Sequence, residues 1–123
     1  MVEYAIIDSI SELCLEHSNL WIFCGSHGGL NAAKHALSFD ISGIVFNDAG
    51  IGKDCAGVAG LEFCDQHGVP AACVDCHTAR IGEGKETFHN GVISRINKHA
   101  FLLGIDQGMP CEKIINILKD NQR

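Results

Sequence analysis

Three short apolar runs give the chain a repeating pattern of strand, polar loop and helix. The runs are continuous rather than alternating, which is typical of strands buried on both faces of a parallel sheet. Each is followed by a glycine-containing polar segment and then by a helix-length segment, and this order favours parallel strands joined by helical crossovers. We therefore predict a small three-layer, Rossmann-like α/β domain over residues 1–123, with a parallel sheet of about three strands flanked by helices. The predicted strands lie near residues 20–25, 41–47 and 69–75.

The predicted helices surround this sheet and include segments near both ends of the chain. Asp54 is a suitable N-cap for the predicted helix over residues 54–67, and Gly68 suits the position just after the end of that helix. The spacing of apolar positions predicts helices at about residues 2–17, 30–38, 54–67, 88–103 and 110–120.

Polar residues follow each predicted strand, in the segments GSHGG, NDAGIGKD and DCHTARIGEG. In an open parallel sheet, ligands bind outside the carboxyl ends of the strands, so these three segments are expected to line one crevice. The predicted ligand-binding residues are Gly25, Ser26, Gly28, Gly29, Asn47, His77, Thr78 and Arg80.

The residue types in these segments favour a small anionic molecule as the ligand. Glycines just before a helix bring backbone N–H groups towards an anion, although Gly28 and Gly29 could equally serve only to form a tight turn. Arg80 is able to clamp a carboxylate through two parallel hydrogen bonds; alternatively it pairs with Glu83 or Glu86 on the surface.

His27 and Asp48 are the predicted catalytic pair. An imidazole titrates near neutral pH, so His27 would carry the proton while Asp48 orients or assists it. Such a pair would suit a lyase, an isomerase or a hydrolase that acts on a small anionic metabolite. The same residue types also suit a non-catalytic binding or regulatory subunit, and Asp48 in particular could simply form an Asx turn.

Charge and hydropathy exclude two classes of partner at this stage. Nine Lys and Arg against fifteen Asp and Glu give a net charge of −6 without any basic run, so no nucleic-acid partner is expected. The chain lacks the run of about 18 apolar residues that spans a membrane. Its first residues also lack the features of a signal peptide, and seven cysteines then predict reduced thiols in the cytoplasm.

The spacing of Cys73, Cys76 and His77 matches C-x-x-C-H, the pattern of covalent haem attachment. The pattern begins inside a predicted strand, and no second cysteine pair at a diagnostic spacing completes a zinc site. We therefore predict neither haem nor structural zinc, and no other cofactor or metal.

The segment CGSHGG resembles the histidine loop of caspase-type cysteine peptidases, in which Ser-His-Gly follows a strand. Cys73 and Cys76 follow His27 by 46 and 49 positions, near the separation found in that family, whereas the family's Q-A-C-x-G signature is absent. The resemblance implies a Cys-His hydrolase that uses Cys76 or Cys73 as nucleophile with His27. The alternative is that both cysteines are small core residues at the end of a strand.

A sheet of three strands exposes two edges, and the last helix is apolar over a wide arc. Ile114, Ile115, Ile117 and Leu118 occupy more than one side of it, which favours burial beyond what a small sheet offers. We therefore predict a homo-oligomer, most simply a dimer.

Overall fold

Five strands form one sheet in the computed structural model, which describes residues 2–121. The order of strands in the sheet follows the chain; the first four are parallel, and the fifth is antiparallel to the fourth. The three predicted strands are confirmed as the second, third and fourth, and the sheet has two more strands than predicted. The strands are β1 (Tyr4–Ile7), β2 (Trp21–His27), β3 (Gly43–Asn47), β4 (Ala71–Val74) and β5 (Ile93–Ile96).

Helices cover both faces of the sheet, which confirms the three-layer α/β prediction. The first two α-helices pack on one face, and the last three contribute buried residues to the other. Short 3₁₀ turns add Ile10–Glu12, Leu15–His17 and Lys53–Val58. The α-helices are α1 (Leu30–Ala36), α2 (Gly60–Gln66), α3 (Gly84–Asn90), α4 (Lys98–Leu103) and α5 (Lys113–Asn121).

The apolar runs are continuous because successive side chains of each central strand enter the hydrophobic cores on opposite faces of the sheet. In β2, Ile22 and Cys24 join the core beneath α1 and α2, whereas Trp21 and Phe23 join the core beneath α3 and α5. Successive side chains of a strand point to opposite faces, so a strand covered on both sides needs apolar residues at every position.

The prediction of a helix over residues 2–17 is wrong. Residues 4–7 form β1, which pairs in parallel with Trp21–Cys24 of β2, and two 3₁₀ turns follow it. Ser9 caps the first of these turns, and the Glu12 carboxylate accepts hydrogen bonds from the backbone N–H groups of Asp8 and Ser9. The long-range pairing with β2 supplies the backbone hydrogen bonds that a helix would otherwise have made.

The predicted helix over residues 88–103 is also wrong, because strand β5 divides it. A Cβ atom on Gly91 would lie 2.4 Å from the carbonyl oxygen of Thr87 and 2.6 Å from Cγ1 of Val74, so the chain turns closely past β4 at this glycine. After β5, the side chain of Asn97 accepts a hydrogen bond from the N–H of Ala100 at 2.9 Å and caps α4.

Asp54 is not the N-cap of the helix that follows β3. Its φ of 55° is left-handed, and α2 begins only at Gly60. The loop between them is left-handed at several positions, including Ala49, Ile51 and Cys55. The predicted end of the helix is confirmed, since Gly68 has a φ of 75° just after α2.

Helix α3 fixes the course of the loop that precedes it. The helix follows β4 in sequence but packs against β1 and β2 at the far side of the sheet. Phe88 contacts Phe23 edge to face, with ring centroids 4.7 Å apart, and stacks on Tyr4 at 5.2 Å. Residues 75–83, the crossing loop, must therefore run over the carboxyl ends of the parallel strands.

No helix within residues 2–121 combines the length and apolar character that crossing a membrane requires.

Candidate functional site

The crossing loop is bound to the ends of three parallel strands in turn. The side-chain amide of Asn47, at the end of β3, donates to the carbonyl of Ala79 at 2.9 Å. Gly82 N–H donates to the carbonyl of Gly25 in β2 at 2.7 Å, and beyond the loop Gly84 N–H donates to the Asp8 carboxylate after β1 at 2.9 Å. The three predicted polar segments therefore do meet at one edge of the sheet.

Asn47 is fully buried and serves both of its neighbouring loops. Besides its bond to Ala79, its Oδ1 accepts a hydrogen bond from Ala49 N–H at 2.8 Å. Both polar ends of the amide are engaged, so Asn47 holds the loops together from beneath.

Asp48 is only 4% exposed, and its carboxylate is surrounded by donors. Its Oδ1 accepts hydrogen bonds from Gly50 N–H at 2.8 Å and from Cys76 N–H at 3.1 Å. Its Oδ2 accepts one from the hydroxyl of Ser94 in β5 at 2.7 Å. The bond to Gly50 is the Asx turn named as the alternative for this residue, and the other two tie β3 to the crossing loop and to β5.

His27 stands at the end of β2 with an exposed ring of defined orientation. Its Nδ1 accepts a hydrogen bond from Gly29 N–H at 3.1 Å. An imidazole nitrogen that accepts carries no proton, so neutral His27 holds its hydrogen on Nε2. In this state the ring presents a donor to a ligand rather than a base.

The three glycines around His27 are explained by close packing. A Cβ atom on Gly25 would lie 2.5 Å from the backbone nitrogen of Glu83, and one on Gly28 would lie 2.7 Å from Sγ of Cys73. The N–H of Gly28 donates to the carbonyl of Asn47 at 3.0 Å, and the N–H of Gly29 is taken by His27. Both amides are already bonded, which favours the turn-forming role; ligand binding by these glycines stays a prediction.

The remaining predicted residues differ in how free their side chains are. Ser26 Oγ accepts a hydrogen bond from Ile10 N–H at 2.9 Å, and Thr78 Oγ1 donates to the carbonyl of Asp75 at 2.6 Å. Arg80 has a side chain that is 79% exposed and pairs with Glu83 at 3.8 Å, a separation at which a surface pair is weak. Arg80 therefore has a guanidinium that is available to a ligand.

The two cysteines proposed as nucleophiles have the wrong surroundings for that role. Burial and then the charge of Asp48 raise the pKa of the Cys73 thiol well above its ordinary value. Partial desolvation, followed by the charges of Asp48 and Asp75, also raises the pKa of Cys76. An activated cysteine needs an electropositive environment that lowers its pKa.

All seven cysteines are free thiols, and four are buried in the core. Burial raises the pKa of Cys24 and of Cys64 to about 11. Cys14, Cys55 and the partly buried Cys76 are the accessible thiols. The alternative that Cys73 and Cys76 are both core residues therefore holds for Cys73, whereas Cys76 is only partly buried.

The contacts at the sheet edge divide the predicted residues into two groups. Asp48 is hydrogen-bonded to Cys76 and to Ser94. His27, in contrast, is the last residue of β2, and Arg80 lies in the crossing loop. Within residues 2–121, no hydrogen bond or ion pair links His27, Asp48 and Arg80 to one another.

Two residues that hold this edge together were missed from the sequence. Asp8 lies inside the predicted helix over residues 2–17, and Ser94 lies in β5, inside the predicted helix over residues 88–103. For Ser94, the break in helical propensity at Gly91 was a local signal.

A separate open groove of about 330 Å³ lies at the opposite, amino-terminal edge of the sheet. Trp21 and Ser42 border it at the starts of β2 and β3, and Leu118 of α5 closes one side. None of the predicted site residues lines it.

Comparison of the chain with protein-family models, with curated proteins and with solved structures found no match.

Proposed function

We propose that the protein binds a small anionic molecule, a carboxylate or a phosphate, over the carboxyl ends of β2 and β3. The observation that carries the proposal is the state of His27 and Arg80. Both side chains are exposed, and both have hydrogen-bond donors that the fold does not use. In contrast, the side chains of four other polar residues of these loops hold the backbone: Ser26, Asn47, Asp48 and Thr78.

His27 supplies a hydrogen-bond donor in a defined direction. Gly29 N–H occupies Nδ1, and the ring geometry then directs the Nε2 hydrogen away from Gly29. A carboxylate or phosphate oxygen is a suitable acceptor for it, and a hydrogen bond to a charged partner contributes about 1.5–3 kcal/mol.

Arg80 supplies the positive charge that attracts the anion. Its contact with Glu83 is long and exposed, so an anion can replace it at a cost of about 0–1 kcal/mol. The backbone of Arg80 lies between Ala79, which is bonded to Asn47, and Gly82, which is bonded to Gly25. The crossing loop therefore passes the ends of β3 and β2 on either side of Arg80, and in this proposal the exposed guanidinium reaches the ligand from there.

Asp48 and Asn47 act in this proposal as positioning residues that set the loops beneath the ligand. The buried Asp48 carboxylate accepts three hydrogen bonds, which tie β3 to the loop that follows it, to the crossing loop and to β5. Turnover of the ligand by a lyase, isomerase or hydrolase reaction, with His27 and Asp48 as the catalytic pair, stays a prediction from the sequence.

Calorimetric titration with inorganic phosphate and with acetate tests the proposal and distinguishes the two anion types. His27→Ala and Arg80→Ala should each weaken binding about tenfold or more, since each removes a donor to a charged group. The matched controls are His35→Ala, at an exposed histidine in the last turn of α1, and Lys119→Ala, at an exposed lysine of α5. Neither control should change the affinity.

Arg80→Lys separates charge from geometry, because lysine keeps the charge but cannot form two parallel hydrogen bonds. It should bind phosphate more tightly than Arg80→Ala and less tightly than the unchanged protein. Binding of neither anion, or equal binding by the two alanine variants and the controls, would reject the proposal.

A further inference from the structure

We infer that Asp75, Cys76 and His77 form a binding site for one divalent transition-metal ion of the zinc type. The three residues follow β4 at the start of the crossing loop, and each offers one ligand atom: a carboxylate oxygen, Sγ and an imidazole nitrogen. These three atoms lie within 4.8 Å of one another. The inference concerns other side chains than His27 and Arg80 and does not depend on the proposed anion binding.

The separation of the three atoms is close to what a metal ion requires. Ligand atoms around a tetrahedral ion, with bonds of about 2.0–2.3 Å, lie roughly 3.5 Å apart. Cys76 is half-buried and His77 is exposed, so rotation of these side chains can shorten separations that are already within 4.8 Å.

The backbone beneath the three ligands is held in one conformation. His77 N–H donates to Asp75 Oδ1 at 2.8 Å, and Thr78 N–H donates to the carbonyl of Asp75 at 2.9 Å. Cys76 N–H donates to the buried carboxylate of Asp48 at 3.1 Å. The second oxygen of Asp75 is left for a ligand.

The charges around the cluster favour a cation. Asp48 and Asp75 place two carboxylates beside Cys76, and neither takes part in an ion pair within residues 2–121. The pairs in that part of the chain are Arg80–Glu83, His89–Glu112 and His99–Asp65. Both carboxylates would attract a divalent ion bound at Cys76.

The mixture of sulfur, nitrogen and oxygen donors selects a zinc-type ion over calcium or magnesium, which prefer oxygen ligands alone. The absence of a second cysteine pair led to the prediction of no zinc, but that argument applies only to closed four-ligand sites. Three protein ligands with water in the fourth position form an open site. When the metal–sulfur bond forms, the Cys76 thiol releases its proton to the buffer, and the metal keeps its oxidation state.

Titration of the purified protein with Co²⁺ tests the inference, because a cobalt–thiolate bond produces charge-transfer absorption and tetrahedral coordination produces intense visible bands. One equivalent of Co²⁺ should produce both signals, and Zn²⁺ should abolish them. Cys76→Ser should remove the charge-transfer band, and His77→Gln should weaken binding by roughly 10–100-fold or more, the loss that even outer-shell changes cause.

The matched control is Cys14→Ser, because Cys14 is an exposed thiol that also has a histidine beside it, with Sγ 3.7 Å from Nδ1 of His17. It should leave both signals unchanged. Loss of the band in this variant but not in Cys76→Ser would overturn the inference, as would the absence of a thiolate band at one equivalent.

A second measurement uses the unchanged protein and does not depend on how the variants fold. Alkylation of Cys14, Cys55 and Cys76 is followed by mass spectrometry with and without one equivalent of Zn²⁺. The inference predicts that Zn²⁺ prevents labelling of Cys76 alone. Equal labelling of Cys76 in both samples would contradict it.

Discussion

Replacing Asn47 with alanine should destabilise the protein strongly, although the residue lies among the predicted ligand-binding positions. Asn47 is fully buried at the end of β3 and bonds to a backbone group on each side. Alanine removes both bonds at once and releases the crossing loop from the loop that follows β3.

The magnitude follows from what each lost bond leaves behind. Ala79 is 3% exposed, so its carbonyl would stay buried without a partner, which costs about 1–3 kcal/mol. Ala49 is exposed, so its N–H can bond to water, and the net loss there is about 0.5–1.5 kcal/mol. The free energy of unfolding should therefore fall by about 2–4 kcal/mol, a large share of the roughly 5–15 kcal/mol typical of a domain.

Equilibrium unfolding in urea measures this change as a lower midpoint at an unchanged slope. Hydrogen exchange of the amides in residues 75–83 should accelerate more than exchange in β2. Asn116→Ala, at an exposed asparagine of α5, is the control and should shift stability by no more than about 0.5 kcal/mol. A loss below about 1 kcal/mol for Asn47→Ala would refute its role as a buried link between the loops.

Three further predictions concern packing, pH and assembly. Phe88→Ala should cost about 3–5 kcal/mol in urea unfolding, whereas Phe101→Ala, at a residue 60% exposed, should cost no more than about 0.5 kcal/mol. Partial burial acts to raise the pKa of Asp65, but hydrogen bonds from His99 outweigh it and lower the pKa from 3.8. The bonded carboxylate therefore adds stability above pH 3.8 that is lost as the pH falls through the lowered value, so urea midpoints of the unchanged protein and Asp65→Asn should converge in acid. Light scattering at micromolar concentration should give the mass of a dimer, because the outer edge of β1 has no strand partner within residues 2–121; a monomeric mass would contradict this.

The sequence predicts the central strands well because their burial on both faces leaves a local record. Every position of β3 is buried, and a continuous apolar run flanked by polar loops is the pattern that such burial produces. The edge strands leave no such record. β1 is only four residues long and half-exposed, and its identity as a strand depends on pairing with β2, a contact between distant parts of the chain.

β5 lies within the segment 88–103 that was predicted as one helix, although the sequence has local signals for the start and the end of the strand. Gly91 interrupts helical propensity, and Asn97 is a favourable N-cap for the helix that follows. The antiparallel direction of β5 is set by the position of α3, which crosses to β1 and β2. That crossing depends on the packing of Phe88 against Phe23 and Tyr4. No local sequence pattern encodes these long-range contacts.

For the site, the sequence predicted which edge of the sheet gathers the polar residues but not what each residue does there. Glycines, Asn47 and Asp48 follow strands in the manner of ligand-binding residues, yet the structure uses them for close packing and loop anchoring. The same residue types perform both tasks, and only the hydrogen-bond partners distinguish them.

The most direct test of the central claim is a ¹H–¹⁵N NMR titration of the protein with inorganic phosphate. Binding over the carboxyl ends of β2 and β3 predicts that the largest shifts occur at the amides around His27 and at the backbone and guanidinium of Arg80. The indole of Trp21, at the groove on the opposite edge of the sheet, should not move. Shifts that centre on Trp21 and spare His27 and Arg80, or no saturable shifts at all, would contradict the claim.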